Sequence, residues 1–112
     1  VKTGTQGAAY AESLKDQYGF NIVYFEDSPT MYQAVLGGQC VACFEDTPIM
    51  QASIKDNGMA LKCLEDTANA GGEYGFAIFN ADNQELVDMF NAGLANIKAN
   101  GKYDEILAKY LG

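Results

Sequence analysis

Val1-Lys2-Thr3-Gly4-Thr5-Gln6-Gly7-Ala8 is the stretch from which the rest of this chain is best read. A short strand-like start runs into a Gly-Thr-Gln-Gly turn, and a helix is predicted at once, from Ala8 to Tyr18. Glycines let the backbone turn tightly, and the N–H groups freed at a helix start form a ready site for an anion. Thr5 adds a hydroxyl that can donate or accept, and Gln6 an amide that does both. Strand, glycine turn and helix also recur in α/β proteins with no ligand at that corner, so the motif alone weighs the structural and the binding role about evenly.

Outward from this corner, strand and helix patterns alternate. Tyr10, Leu14 and Tyr18 recur every four residues, and Gly19 stands where a helix would end. Asn21 to Phe25 is a dense β-branched and aromatic run, hence a predicted strand. Ser28-Pro29 predicts an N-cap and an N1 proline, opening a helix with Tyr32, Val35 and Leu36 inward and Gly37-Gly38 at its end. Cys40 to Phe44 reads as a fully buried strand. Thr47-Pro48 repeats the cap-and-proline device for a third helix closed by Asn57-Gly58, and a short strand follows near Ala60–Cys63. This alternation predicts a parallel or mostly parallel α/β sheet.

The pattern changes after Leu64. A polar loop is expected over 65–72, then a strand in which Tyr74, Phe76 and Ile78 alternate with Gly75 and Ala77. Asp82 and Glu85 have capping-box spacing. The helix beyond places Leu86, Phe90, Leu94 and Ile97 on one face and ends at Asn100-Gly101; a last short helix holds Tyr103, Ile106, Leu107, Tyr110 and Leu111. The one boundary falls between Asn80 and Asn83, giving segments 1–80 and 81–112. Nothing in the remaining sequence plainly covers the apolar face of the last two helices.

Composition narrows the function classes. The 112 residues suffice for one modest core. The net charge is -8, with seven lysines and no arginine. That argues against nucleic acid and anionic membranes, which demand basic patches. No apolar run approaches the ~18–20 residues of a membrane span, and no leader pattern is read, so an exported parent would carry its address elsewhere. Cys40, Cys43 and Cys63 are odd in number and there is no histidine. Cys40 and Cys43 have CxxC spacing, but inside a predicted strand, and zinc would need carboxylates to complete its shell. Small buried hydrophobes are the better reading. Without histidine, the usual base for a serine or cysteine nucleophile is missing as well. No cofactor and no metal are expected.

In an open α/β sheet, ligands bind outside the carboxyl ends of the strands. Two loops leave such ends, Gly4–Gly7 and Glu45–Thr47. A carboxylate in the second loop would favour the helix dipole by ~0.3–1 kcal/mol. Paired with a cationic ligand group it would contribute roughly 1.5–3 kcal/mol. Thr47 reads as the cap, which leaves Asp46 for other work. Anion donors on one side and a carboxylate on the other suit a zwitterion such as an amino acid.

On these residues the chain resembles a known family. Val1 to Gly7 is similar to the opening of the second lobe in the polar amino-acid binding proteins of ABC importers, the family-3 solute-binding proteins. Leu36-Gly37-Gly38-Gln39-Cys40-Val41-Ala42-Cys43-Phe44-Glu45-Asp46-Thr47-Pro48 resembles the family's L-x-x-G-x-x-D-A-x-x-x-D-x-P strand and loop. Gly72 to Ile78 and Asn100-Gly101-Lys102-Tyr103-Asp104-Glu105-Ile106 resemble its closing strand and C-terminal helices. Cys40 departs from the pattern by replacing its usual aspartate.

The resemblance implies a three-layer, open, mostly parallel sheet flanked by helices, a periplasmic-binding-protein type II lobe with two extra C-terminal helices that belong to the first lobe in relatives. It implies a two-lobed, non-enzymatic receptor that closes on a free amino acid and presents it to an ABC permease. Asp46 would hold the α-ammonium. Thr5, Gln6 and the backbone through Gly7 would hold the α-carboxylate. Lys2 would lie beside the side-chain pocket, where glutamine-preferring relatives also carry lysine, and Glu45 would influence selectivity. The location implied is extracytoplasmic, lipid-anchored or permease-fused. In the family the first lobe supplies the arginine that clamps the carboxylate, and this sequence has none, so a fragment or excised domain is expected, with its uncovered helices inviting homodimerisation. Two alternatives share the scaffold. A cyclohexadienyl-dehydratase-like enzyme would use Glu45 or Lys2 as its acid–base group, and a receptor-kinase sensor lobe would answer to a different partner.

Overall fold

A computed structural model describes residues 1–64 and 72–112. The chain divides into two compact units, Val1–Gly71 and Gly72–Gly112.

The first unit carries three helices, α1 (Gln6–Tyr18), α2 (Ser28–Leu36) and α3 (Thr47–Asn57). α1 starts two residues earlier than the apolar spacing predicts, because Thr5 caps it: the Thr5 hydroxyl oxygen accepts from the Ala8 N–H at 3.2 Å. It ends at Gly19, whose φ of 69° is left-handed, as a C-terminal glycine allows. The inward face of α1 is made of Ala8 and Ala11, and Tyr18 is exposed. Small side chains there let the helix approach the extended backbone beside it.

α2 corrects the predicted cap. Asp27, not Ser28, is the N-cap, accepting from the Thr30 N–H at 2.8 Å, and Ser28 is the first helical residue. Its buried residues are Met31, Tyr32 and Ala34, while Leu36 is exposed. α3 shifts in the same way. Asp46 holds the N-cap position and Thr47 is already helical, so Thr47 is not the cap.

Among the described residues no named strand forms; the sheet is represented by one parallel bridge, Lys2 to Phe25. The Thr3 N–H donates to Phe25 O and the Phe25 N–H to Val1 O, both at 2.9 Å. The expected strands at 40–44, 60–63 and 74–78 run without ladders. At the start of the first of these, the N–H groups of Gln39 and Cys40 both return to Ala34 O, so Cys40 belongs to the close of α2. Val41 is fully exposed, which overturns the fully buried reading of this run. The last two residues of the run still alternate: Cys43 packs with Met31, Tyr32 and Met50, whereas Phe44 packs with Val1, Ala8 and Ala11.

That alternation organises the unit. Ile22 and Phe44 face the α1 cluster, and Phe25 and Cys43 face the cluster made by α2 and α3. Successive residues of an extended chain point to opposite sides. The extended segments therefore separate two small cores. All three cysteines are free and half-buried, short of the full burial expected. Burial pushes the Cys43 thiol above its ordinary value, as suits an inert packing residue.

In the second unit, α4 (Gln84–Ala99) packs against α5 (Lys102–Leu111). The Asp82–Glu85 capping box does not form. Asn80 instead accepts from the Asp82 N–H at 3.0 Å and caps a 3-10 turn, Ala81–Asn83, that leads into α4. Phe76 stacks on Phe90 with ring centroids 4.6 Å apart. Leu86, Met89, Phe90 and Tyr110 remain exposed. The polar loop expected over 65–72 lies, but for Gly72, outside the described residues.

Candidate functional site

Through a glycine, the first loop singled out by the sequence reaches the backbone that leads into the second. A Cβ built on Gly7 would stand 3.1 Å from the Phe44 carbonyl oxygen and 3.2 Å from its carbonyl carbon. Only a residue without a side chain brings the start of α1 this close to the backbone that leads into Glu45 and Asp46. The Tyr10 ring meets Phe44 edge-on at 5.8 Å and holds the same approach from one turn further along α1.

At the first loop, Gly4 takes a left-handed φ of 72° and turns the chain into the helix. The Thr5 hydroxyl donates to Lys2 O at 2.7 Å while accepting from the Ala8 N–H. Its only proton is thus committed to the turn, and a ligand can meet Thr5 through its backbone or as a donor to its oxygen. The N–H groups of Gln6 and Gly7, in the first turn of α1, have no intrahelical acceptor. They and the helix dipole are what this corner offers an anion. Thr5 and Gln6 also line an open concavity together with Glu12 and Tyr24. The Tyr24 hydroxyl donates to Glu12 at 2.7 Å, and that bond raises the phenol's pKa. An acidic wall disfavours a carboxylate ligand on that side.

At the second loop, Glu45 is tied from three directions. Its Oε2 accepts from the Ser28 hydroxyl at 2.7 Å and from the Tyr32 hydroxyl at 2.9 Å; its Oε1 accepts from the Asp46 N–H at 3.0 Å. Lys2 joins from the other side, its Nζ donating to Ser28 Oγ at 3.0 Å. Lys2, Ser28 and Glu45 are half-buried, and Tyr32 is buried at 5% exposure. Burial, with the bond to Glu45, raises the Tyr32 phenol above its ordinary pKa. Asp46 stands next in the chain, half-buried at the start of α3, and its side chain makes no capping hydrogen bond there.

The sequence reading missed Ser28 and Tyr32 as parts of this corner. Ser28 was expected as a cap and Tyr32 as a core residue. They are four apart on α2 and so share a face, and two hydroxyls at that spacing on an otherwise inward face were the available signal. Among the described residues no three metal-ligating side chains gather, and no helix is long and apolar enough to cross a membrane.

A helix start opened by a glycine turn thus lies near the backbone that leads into two consecutive carboxylates. The chain belongs to the bacterial extracellular solute-binding proteins, family 3, whose model matches residues 6–112. It is 30% identical to an arginine-binding periplasmic protein of Mannheimia haemolytica, over the whole chain and 47% of that protein. It is 28% identical to a probable histidine-binding protein of Neisseria gonorrhoeae, over 98% of the chain and 41% of that protein. Among solved structures, substrate-binding domain 2 of Lactococcus lactis GlnP in its open conformation matches with 37% identity and a TM-score of 0.67, covering 99% of this chain and 47% of that one. The second substrate-binding domain of a putative amino acid ABC transporter from Streptococcus pneumoniae matches with 38% identity and a TM-score of 0.69, covering 99% and 50%. The chain spans about half the length of the relatives it matches. These neighbours agree with a periplasmic-binding-protein type II lobe, and the relatives are named as binding proteins.

Proposed function

We propose that this chain is the substrate-binding lobe of an extracytoplasmic amino-acid receptor that delivers a polar amino acid, with glutamine favoured, to an ABC permease. The observation that carries the reading is the Gly7–Phe44 approach, which sets an anion-receptive helix start beside the Glu45–Asp46 loop. In this reading the N–H groups from Thr5 to Gly7 and the Gln6 amide receive the α-carboxylate, Asp46 receives the α-ammonium, and Lys2 and Glu45 border the side chain. Residues 1–80 form the lobe proper, and 81–112 pack on a first lobe. The role is binding, without catalysis. Where no first lobe covers them, the exposed side chains of α4 and α5 pair two copies.

Isothermal titration with glutamine, glutamate, arginine and histidine tests the reading, repeated on Asp46→Ala. Heat for one amino acid, reduced about tenfold or more in affinity by the variant, is expected, since a charge-assisted hydrogen bond is lost. Binding that survives Asp46→Ala unchanged would sink the assignment of the ammonium site.

A further inference from the structure

We infer that Ser28 and Tyr32 are positioning residues that join the Lys2 ammonium and the Glu45 carboxylate into one charge-compensated unit, so that the side-chain subsite selects an uncharged amide over a carboxylate or a cation. The inference rests on the proposed function above and deepens it.

Ser28 has one proton and gives it to Glu45 Oε2; its oxygen accepts from Lys2 Nζ. It therefore links the two charges through a single atom. Tyr32 donates to the same carboxylate oxygen from a buried position on α2, so Glu45 is held by groups that the core itself fixes. The Asp46 N–H takes the other oxygen, which ties the orientation of this carboxylate to the residue proposed for the ammonium.

The consequence for selectivity follows from charge and hydrogen-bond inventory. An uncompensated Lys2 would draw a ligand carboxylate, and an uncompensated Glu45 would draw a guanidinium or imidazolium. Linked through Ser28, they present little net charge, yet Lys2 keeps two N–H groups and Glu45 keeps lone pairs. A primary amide carries both an acceptor for the first and a donor for the second. A ligand carboxylate lacks the donor and a guanidinium lacks the acceptor.

The test uses this chain with Glu45→Gln, Ser28→Ala and Ser28→Thr, reading the ratio of glutamine to glutamate affinity, and for the Ser28 variants also that of glutamine to arginine, by titration calorimetry. Glu45→Gln should shift that ratio toward glutamate by about tenfold, the size of one charge-assisted contact. Ser28→Ala, which unlinks both charges without removing either, should lower the preference for glutamine over both glutamate and arginine, and Ser28→Thr, which keeps the hydroxyl, should leave that preference near the parent's. An unchanged ratio in Glu45→Gln overturns the inference. A readout free of ligand is the Tyr32 phenol followed by carbon NMR, assigned with Tyr32→Phe. Its pKa should fall toward the ordinary value in Glu45→Gln, and a Tyr32 titration that does not move overturns the clamp. Failure of the wild-type chain to bind any amino acid counts against the proposed function, and the inference is then decided by the Tyr32 titration alone.

Discussion

Gly7 shows how much a single missing side chain decides here. Alanine is the better helix former by about 1 kcal/mol, and on propensity alone Gly7→Ala would stabilise α1. The Cβ would be pressed against the Phe44 backbone at 3.1–3.2 Å, however, and backbone gives way poorly. Overpacking of this kind costs about 1–3 kcal/mol. The net expectation is a loss of about 1 kcal/mol, read as a lower urea midpoint at unchanged slope. A variant as stable as the parent would show that the contact is not tight. Thr5 is the second decisive residue, because its hydroxyl serves both the Lys2 carbonyl and the α1 cap. Thr5→Ala should cost about 1 kcal/mol of stability, whereas Thr5→Ser, which keeps the oxygen, should cost less than half of that.

The helices differ in how their starts are made, and the differences have separate readouts. α2 begins on Asp27, whose carboxylate accepts from the Thr30 backbone N–H and from the Thr30 hydroxyl at 3.0 Å. The backbone bond is the main reason that its pKa lies below the ordinary aspartate value. A depressed folded-state pKa means stabilisation that is fully present above the unfolded pKa and is lost as pH falls through the folded one. Stability should therefore drop with acidification below the ordinary aspartate range, and Asp27→Asn, which keeps a capping oxygen, should flatten that step while α2 stays intact. Denaturant midpoints from neutral pH down into the acid range check this. An equal acid slope in both proteins would move the cause to another carboxylate. α3 starts on Asp46 without a side-chain cap bond, so its entry depends more on Pro48 and on the packing of Met50.

At the scale of the molecule, the two units are unlike in their cores. The first buries Val1, Ala8, Ala11, Met31, Tyr32, Ala34 and Met50; the second contributes no fully buried side chain among its described residues. Its α4 and α5 pack on each other and leave Leu86, Met89, Phe90 and Tyr110 exposed. An apolar face of this kind is costly in water. Sedimentation of the chain should accordingly show association that grows with concentration, abolished by Phe90→Lys. A monomer at every concentration would remove the homodimer from the proposal.

The sequence by itself determined the helices and their order. Glycines at 19, 58 and 101 stop or start helices because only they adopt left-handed backbone cheaply, and local hydrogen bonding sets most of the rest. The turn at Gly4 to Gly7 and the carboxylates of Glu45 and Asp46 ahead of a helix start were legible for the same local reason, being written in consecutive residues. The caps at Asp27 and Asp46 were misplaced by one residue, since Ser-Pro and Thr-Pro satisfy the same pattern one step later. Only the tertiary structure decided what meets across the chain. The Cys40–Phe44 run looked buried because each residue is apolar, yet burial depends on a partner, and Val41 has none to cover it. The Lys2–Ser28–Glu45–Tyr32 chain joins residues up to 43 positions apart. No periodicity encodes such a contact, because it exists only once α2 is packed against the backbone that carries Glu45.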